Sequence, residues 1–266
     1  MKTELSAAWP QHIHDVVQQF CAGEGQRCIY LAQLDMPNSA NDVAVHADLP
    51  MPAASLVKPL LVESVIQNLG FDQLRKTFVD VHQLHPTMYP SILAAFERGR
   101  LLSLSEVCAL SIISSDNSCA DYLLRKYGVE LVAARAQELG LHSTHLTVGY
   151  SDEELGSTGR GNISTARDIA TLFRHLYTDR ESQKSLWQWL INSLRNNRIP
   201  GELPDDLQVA NKTGSLEGVA NDAGVILGQP PLLVVIMTEG QMDTNETTLE
   251  ISKLTLEICT ALGIVR

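Results

Sequence analysis

The chain has 266 residues, 44% of them hydrophobic and 19% charged, enough to enclose a substantial apolar core in one large domain or two interleaved ones. Its 31 acidic residues outnumber 20 basic ones and leave a formal net charge of −11. That balance argues against a nucleic-acid or anionic-membrane surface, where a cationic footprint is needed. The longest apolar run, Leu232 to Met237, is strand-sized and far short of a membrane span.

Met1 to Pro10 holds no apolar segment of the kind a secretory signal carries, and Pro10 interrupts it early, so no export signal is expected in this stretch. The spacing predicts an amphipathic helix over 11–22, with Ile13, Val16, Val17 and Phe20 on one face and Gly23 and Gly25 as the stop. Residues 28–34 follow as a buried strand, with 43–46 as its partner after the Pro37-Asn38 turn. Between 56 and 69 the sequence is apolar nearly all round, the mark of a central buried helix. Pro59 is tolerated only in a first turn, so this helix must begin close to Ser55.

Most of 70–195 reads helical, with helices expected over 92–96, 104–114, 120–127, 131–139, 165–177 and 185–195. The period then changes. Strands are expected over 207–214, 223–227 and 232–238, separated by turns containing Gly218, Asn221, Gly228 and Pro230-Pro231. A last helix over 246–262, with Asn245 as its cap, ends the chain. Strands at both ends around a helical middle predict an α/β lobe from 1–50 and 200–266, an inserted all-α lobe over 51–199, and a cleft at the junction.

The five cysteines, Cys21, Cys28, Cys108, Cys119 and Cys259, show no metal-type spacing and read as small buried hydrophobes. Cys21 and Cys28, flanking two glycines, are the pair placed for a local disulfide in an exported protein. The pairs His82/His85 and His142/His145 lack an H-E-x-x-H context, and no phosphate-binding loop occurs, so neither metal nor nucleotide cofactor is expected.

Three short constellations carry chemistry. In Ser55-Leu56-Val57-Lys58, helical spacing places the lysine beside the serine hydroxyl. A serine needs an adjacent base, and a lysine buried among leucines and valines loses its proton more easily. In Ser115-Asp116-Asn117, a second hydroxyl suits proton relay, and the Asn117 amide suits orienting a lysine or accepting a substrate N–H; capping by Asp116 or Asn117 is the plainer reading. In Lys212-Thr213-Gly214-Ser215, a strand-edge lysine with two hydroxyls forms an anion-binding rim. There Gly214 permits close backbone approach, and unpaired N–H groups suit a peptide-like substrate.

The trio occurs in one order, 60 residues from Ser55 to Ser115 and 97 from Ser115 to Lys212. Together with Pro52-Ala53-Ala54, Arg198-Ile199-Pro200, Leu203-Pro204 and Asn221-Asp222, it resembles the class A-like serine β-lactamase and penicillin-binding superfamily. The resemblance implies an antiparallel sheet built from both chain ends, flanked by helices, with an inserted helical lobe, and acyl transfer without a cofactor. It implies Ser55 as the acylated nucleophile, Lys58 as base or relay, Ser115 as proton donor to the leaving nitrogen and Asn117 as positioning amide. Lys212 and Thr213 would hold a substrate carboxylate, and the Ser55 and Ser215 N–H groups an oxyanion. The substrate would be a small molecule, a β-lactam or peptide-like amide, and the site of work outside the inner membrane.

Class A enzymes release the acyl group through a loop glutamate in a Glu-x-x-Leu-Asn motif. Matching Leu155 to the motif leucine puts Asp152 in the glutamate's place and Gly156 in the asparagine's, with Glu153 and Glu154 out of register. Three outcomes stay open on the sequence: a β-lactamase, a D,D-peptidase or esterase-like enzyme that β-lactams inhibit, or a relative that acylates and stops.

Overall fold

The computed structural model describes residues 9–36, 42–84, 90–147, 149–150 and 161–265. The chain opens with α1 (Gln11–Cys21), whose Ile13, Val17, Phe20 and Cys21 are buried, and continues into β1 (Gln26–Gln33) and β2 (Val43–Val45). Three long strands near the other end, β7 (Val209–Leu216), β8 (Val219–Ile226) and β9 (Leu232–Glu239), complete a five-stranded sheet in the order β2-β1-β9-β8-β7. Every pairing in it is antiparallel, and β1 lies along the whole of β9, Gln26 opposite Glu239 and Gln33 opposite Leu232. The sheet built from both chain ends is thus as expected.

Alternation along the strands divides the core in two. Ile29, Leu31, Val234 and Ile236 point toward α1 and the C-terminal helix α9 (Thr244–Ala261), whereas Cys28, Tyr30, Val235 and Met237 join the core shared with the central helices. Cys21 and Cys28 fall on opposite sides of this division, and all five cysteines are free and buried. The cysteines are buried as expected, and no bond joins Cys21 to Cys28, because the strand pleat turns Cys28 away from α1.

The helical middle packs around α2 (Lys58–Leu69), in which every side chain from Lys58 to Ile66 is buried. Around it lie α3 (Phe71–Lys76), α4 (Leu104–Ile113), α5 (Asn117–Tyr127) and α6 (Val129–Glu138), while α7 (Ala166–Thr178) bridges to the sheet and α8 (Lys184–Ile191) to β7. Two short ladders interrupt the helical reading, β3 (Met51–Pro52) with β6 (Ile163–Ser164) and β4 (Phe78–Asp80) with β5 (Leu101–Ser103). The expected helix at 92–96 is a single 3-10 turn, Ile92–Ala95. The last helix is capped by Asp243, whose carboxylate accepts from the Asn245 and Glu246 N–H groups, so the helix starts two residues earlier than Asn245 would allow. None of the described helices is long and apolar enough to cross a membrane.

The middle of α2 carries a buried charge cluster that sequence periodicity does not reveal. Glu63, fully buried, receives a bidentate Arg135 guanidinium at 2.6 and 2.8 Å, the Gln183 amide at 3.3 Å and the His175 ring at 3.3 Å. Burial alone would push the carboxyl up, but the bonds from His175 and Arg135 prevail and hold it at about 2.

Candidate active site

Ser55 lies in a 3-10 turn, Ala54–Val57, directly ahead of α2. The turn is tight because Pro59 has no N–H to give, and the Lys58 N–H closes it onto the Ser55 carbonyl. Ala54 adopts φ 50°, a left-handed conformation unusual for a residue with a Cβ. The Ser55 side chain is partly exposed at the mouth of the buried helix.

The second segment falls between α4 and α5. Asp116 caps α5 by accepting from the Cys119 N–H at 3.0 Å and is itself held by the Ser91 hydroxyl at 2.5 Å. Ser115, just before this cap, has φ 58°, which turns both its carbonyl and its hydroxyl toward α2. Ser115 and Ala54 are two of only three non-glycine residues with positive φ among those described, and such strain concentrates at functional sites.

The third segment is β7, an edge strand whose partner β8 lies on one side only. One face of the strand packs on the Ser55 turn. A Cβ on Gly214 would stand 2.8 Å from the Ala53 carbonyl oxygen and 3.2 Å from the Ser55 nitrogen. The close approach expected at this glycine is therefore made by the nucleophile turn itself.

These elements bring two fully buried lysines onto one serine. Lys58 Nζ donates to the Ser115 carbonyl at 2.7 Å and to Asn117 Oδ1 at 2.7 Å, with Ser115 Oγ at 3.3 Å. Lys212 Nζ lies 2.8 Å from Ser115 Oγ and donates to the Thr213 carbonyl at 2.9 Å. Burial pulls Lys58 down to about 7, against the opposing pull of Asp116 and Asp121. Lys212 is also driven well below the ordinary lysine range, first by burial and then by repulsion from Lys58. A neutral Lys58 amine has two N–H bonds, which the two carbonyl-type acceptors satisfy, and keeps its lone pair for a hydroxyl proton. Among the described residues, no hydrogen bond joins Lys58 to the Ser55 hydroxyl; the bonds of Lys58 run to the α4–α5 junction instead.

Thr213 is buried in β7, opposite Asp222, and Ser215 is exposed at its end. Asp152, with Glu153 and Glu154, lies outside the described residues. Sequence motifs alone do not give a function to Arg198, Asn221 or Tyr150. The buried Arg198 guanidinium donates to the Gly214 carbonyl at 3.0 Å, the Asn221 carbonyl at 2.6 Å and Ser215 Oγ at 2.7 Å, fixing the end of β7. The Asn221 amide donates to the Pro52 carbonyl at 2.8 Å and accepts from the Thr238 N–H at 2.7 Å, tying the sheet to the segment before Ser55. Tyr150 lays its ring over Lys58 Nζ, 4.6 Å from the ring centre. Asn221 stands out as a polar residue in the mostly apolar stretch of β8, whereas Arg198 lies in a polar loop outside any strand and Tyr150 carries no such signal.

Residues 10–262 match the family model of the "Beta-lactamase enzyme family". A β-lactamase of Streptomyces albus G is 29% identical over 220 residues, covering 75% of this chain and 69% of that protein. The β-lactamase of Sphaerobacter thermophilus superposes with a TM-score of 0.82 at 23% identity, covering 96% of this chain and 98% of the other. A structure named PBP-A gives 0.81 at 19% identity over 96% and 97% of the two chains. A match over nearly the whole length, on a fold that assembles the Ser55, Ser115 and Lys212 segments at one place, makes this chain a member of the β-lactamase enzyme family and a β-lactamase-like serine hydrolase.

Proposed function

We propose that the protein is an acyl-serine hydrolase acting on β-lactams or related peptide-like amides, with Ser55 as nucleophile in the cleft between the sheet and an inserted helical lobe. The observation that carries this reading is the convergence of two depressed lysines on Ser115, one of them three residues after Ser55. Neutral Lys58 takes the proton of Ser55 Oγ as that oxygen attacks the amide carbonyl carbon. The carbonyl oxygen becomes an oxyanion, received by the Ser55 and Ser215 N–H groups. When the carbon–nitrogen bond breaks, Ser115 Oγ delivers a proton to the leaving nitrogen and regains one from a lysine. Asn117 holds Lys58 and faces the substrate amide; Lys212, Thr213 and the free edge of β7 receive its carboxylate and backbone, with Gly214 letting the strand lie close against the Ser55 turn. The acidic surface disfavours nucleic acid as a partner.

Water then attacks the Ser55 ester, releasing the acid and the serine. Asp152 is the group proposed to take that water's proton. Its carboxylate is one methylene shorter than a glutamate, and misplacement by about 1 Å costs on the order of 100-fold in rate. Deacylation is therefore expected to be the slow step.

Incubation with a penicillin followed by intact-mass measurement tests the reading. The expected result is a mass increment on wild type that is absent from Ser55→Ala. No increment at high reagent concentration sinks it, and one that survives Ser55→Ala moves the nucleophile elsewhere. Asp152→Asn should prolong the adduct more than it slows its formation; unchanged adduct lifetime removes Asp152 from the scheme. A second reading, a D,D-peptidase-like enzyme inhibited by β-lactams, is favoured if the wild-type adduct persists for hours.

A further inference from the structure

Tyr150 is fixed to the same apparatus that holds Lys58. Its backbone N–H donates to Asp121 Oδ1, and its carbonyl accepts from Asn117 Nδ2 at 3.5 Å. The other end of that Asn117 amide accepts from Lys58 at 2.7 Å, so one side chain sets the tyrosine and the amine in mutual register. The ring covers Lys58 Nζ at 4.6 Å. The phenol oxygen is buried and has no hydrogen-bond partner among the described residues, whereas the ring face has Lys58 against it. An aromatic face attracts an ammonium, most strongly where water is excluded.

We propose that Tyr150 is a positioning residue that sets the pH range in which Lys58 is neutral, through its ring face and not its hydroxyl. The inference rests on the reading of Lys58 as the acylation base. Around that amine, Asp116, Cys119 and Asp121 of α5 favour the ammonium, whereas Arg195, beyond α8, and Lys212 of β7 oppose it. The ring adds to the first group without adding a charge. It therefore favours the ammonium more than its dry surroundings alone would, so that the neutral amine appears at a higher pH, and it keeps the amine in place while no substrate is bound.

The test is the pH profile of acylation by benzylpenicillin, followed by intact mass, for wild type, Tyr150→Phe and Tyr150→Leu. Phe keeps the aromatic face and should keep the wild-type limb. Leu keeps the surroundings apolar but removes the face, and should move the limb down by about one pH unit. A purely structural defect would lower the plateau without moving the limb. A Leu limb that stays in place or moves up overturns the proposal, as does a Phe limb that moves as far as Leu's. If circular dichroism shows that the Leu variant does not fold, Tyr150→Met is held to the same criteria. Absence of any adduct on wild type overturns the Lys58 reading and this proposal together, whereas normal wild-type acylation with unmoved limbs overturns this proposal alone.

Discussion

Gly214 lies so close to the Ser55 turn that the strand carrying Lys212 and the turn carrying the nucleophile share one contact surface, with backbone on both sides. Neither side has a flexible end that could yield to an added methyl group. Gly214→Ala is expected to cost about 1–3 kcal/mol of stability and to slow acylation by on the order of 100-fold through displacement of Ser55. Thermal unfolding and adduct-formation kinetics check the two effects separately.

Acylation should follow the titration of Lys58, placed at about 7 by burial. The rate constant is expected to rise about tenfold per pH unit below that value and to level off above it. Stability has its own sign. The fold binds this proton more weakly than the unfolded chain does, so this residue's contribution rises with pH between about 7 and the ordinary lysine value of 10.5. A rate profile flat from pH 5 to 9 would remove Lys58 from the role of base.

Asp222 shows the opposite sign. Burial behind β7 raises it to about 6, against the pull of Arg198 and the bonds from the Ile199 N–H and the Asn211 amide. The folded state holds this proton more tightly, so stability falls as pH rises from about 3.8 to about 6 and the deficit persists above. The melting temperature of Asp222→Asn, measured against wild type, should become more favourable to the mutant between pH 4 and pH 8. A constant difference over that range would show that Asp222 does not titrate there.

Glu63 should dominate acid sensitivity in the helical core. Its carboxyl is held at about 2, so its contribution is complete above the ordinary value of 4.5 and is lost as pH falls toward 2. Glu63→Gln leaves Arg135 half-paired beside a buried amide and is expected to cost about 3–5 kcal/mol at neutral pH. Denaturant titrations at pH 7 and pH 3 should show the mutant and wild type converging at the lower pH.

Because all five cysteines are free, dithiothreitol should leave the melting temperature unchanged. A downward shift on reduction would establish a bond between two of them.

The features legible in the sequence were those set by local repetition and by rare residue triplets. The continuous apolar runs of β9 and α2 place their elements to within a few residues, and the three motifs name the two lysines and two serines. Contacts between distant segments were not legible. Nothing near Lys58 in the chain says that its strongest partners are the Ser115 carbonyl and Asn117, 57 and 59 residues on. The same holds for Glu63 and Arg135, which lie 72 residues apart. Asp243 and Asn245 are equally good caps by type, and only backbone geometry separates them.

The open side of β7 carries a further implication. A row of backbone groups left without a neighbouring strand suits an incoming extended ligand, but it would equally accept a second molecule of the same protein, the first step toward aggregation. An excess of eleven negative charges makes copies repel one another at a distance, while a small uncharged or singly anionic compound is hardly deterred. Acidity of the whole molecule would in this way keep vacant a seam that the chemistry requires to stay unzipped.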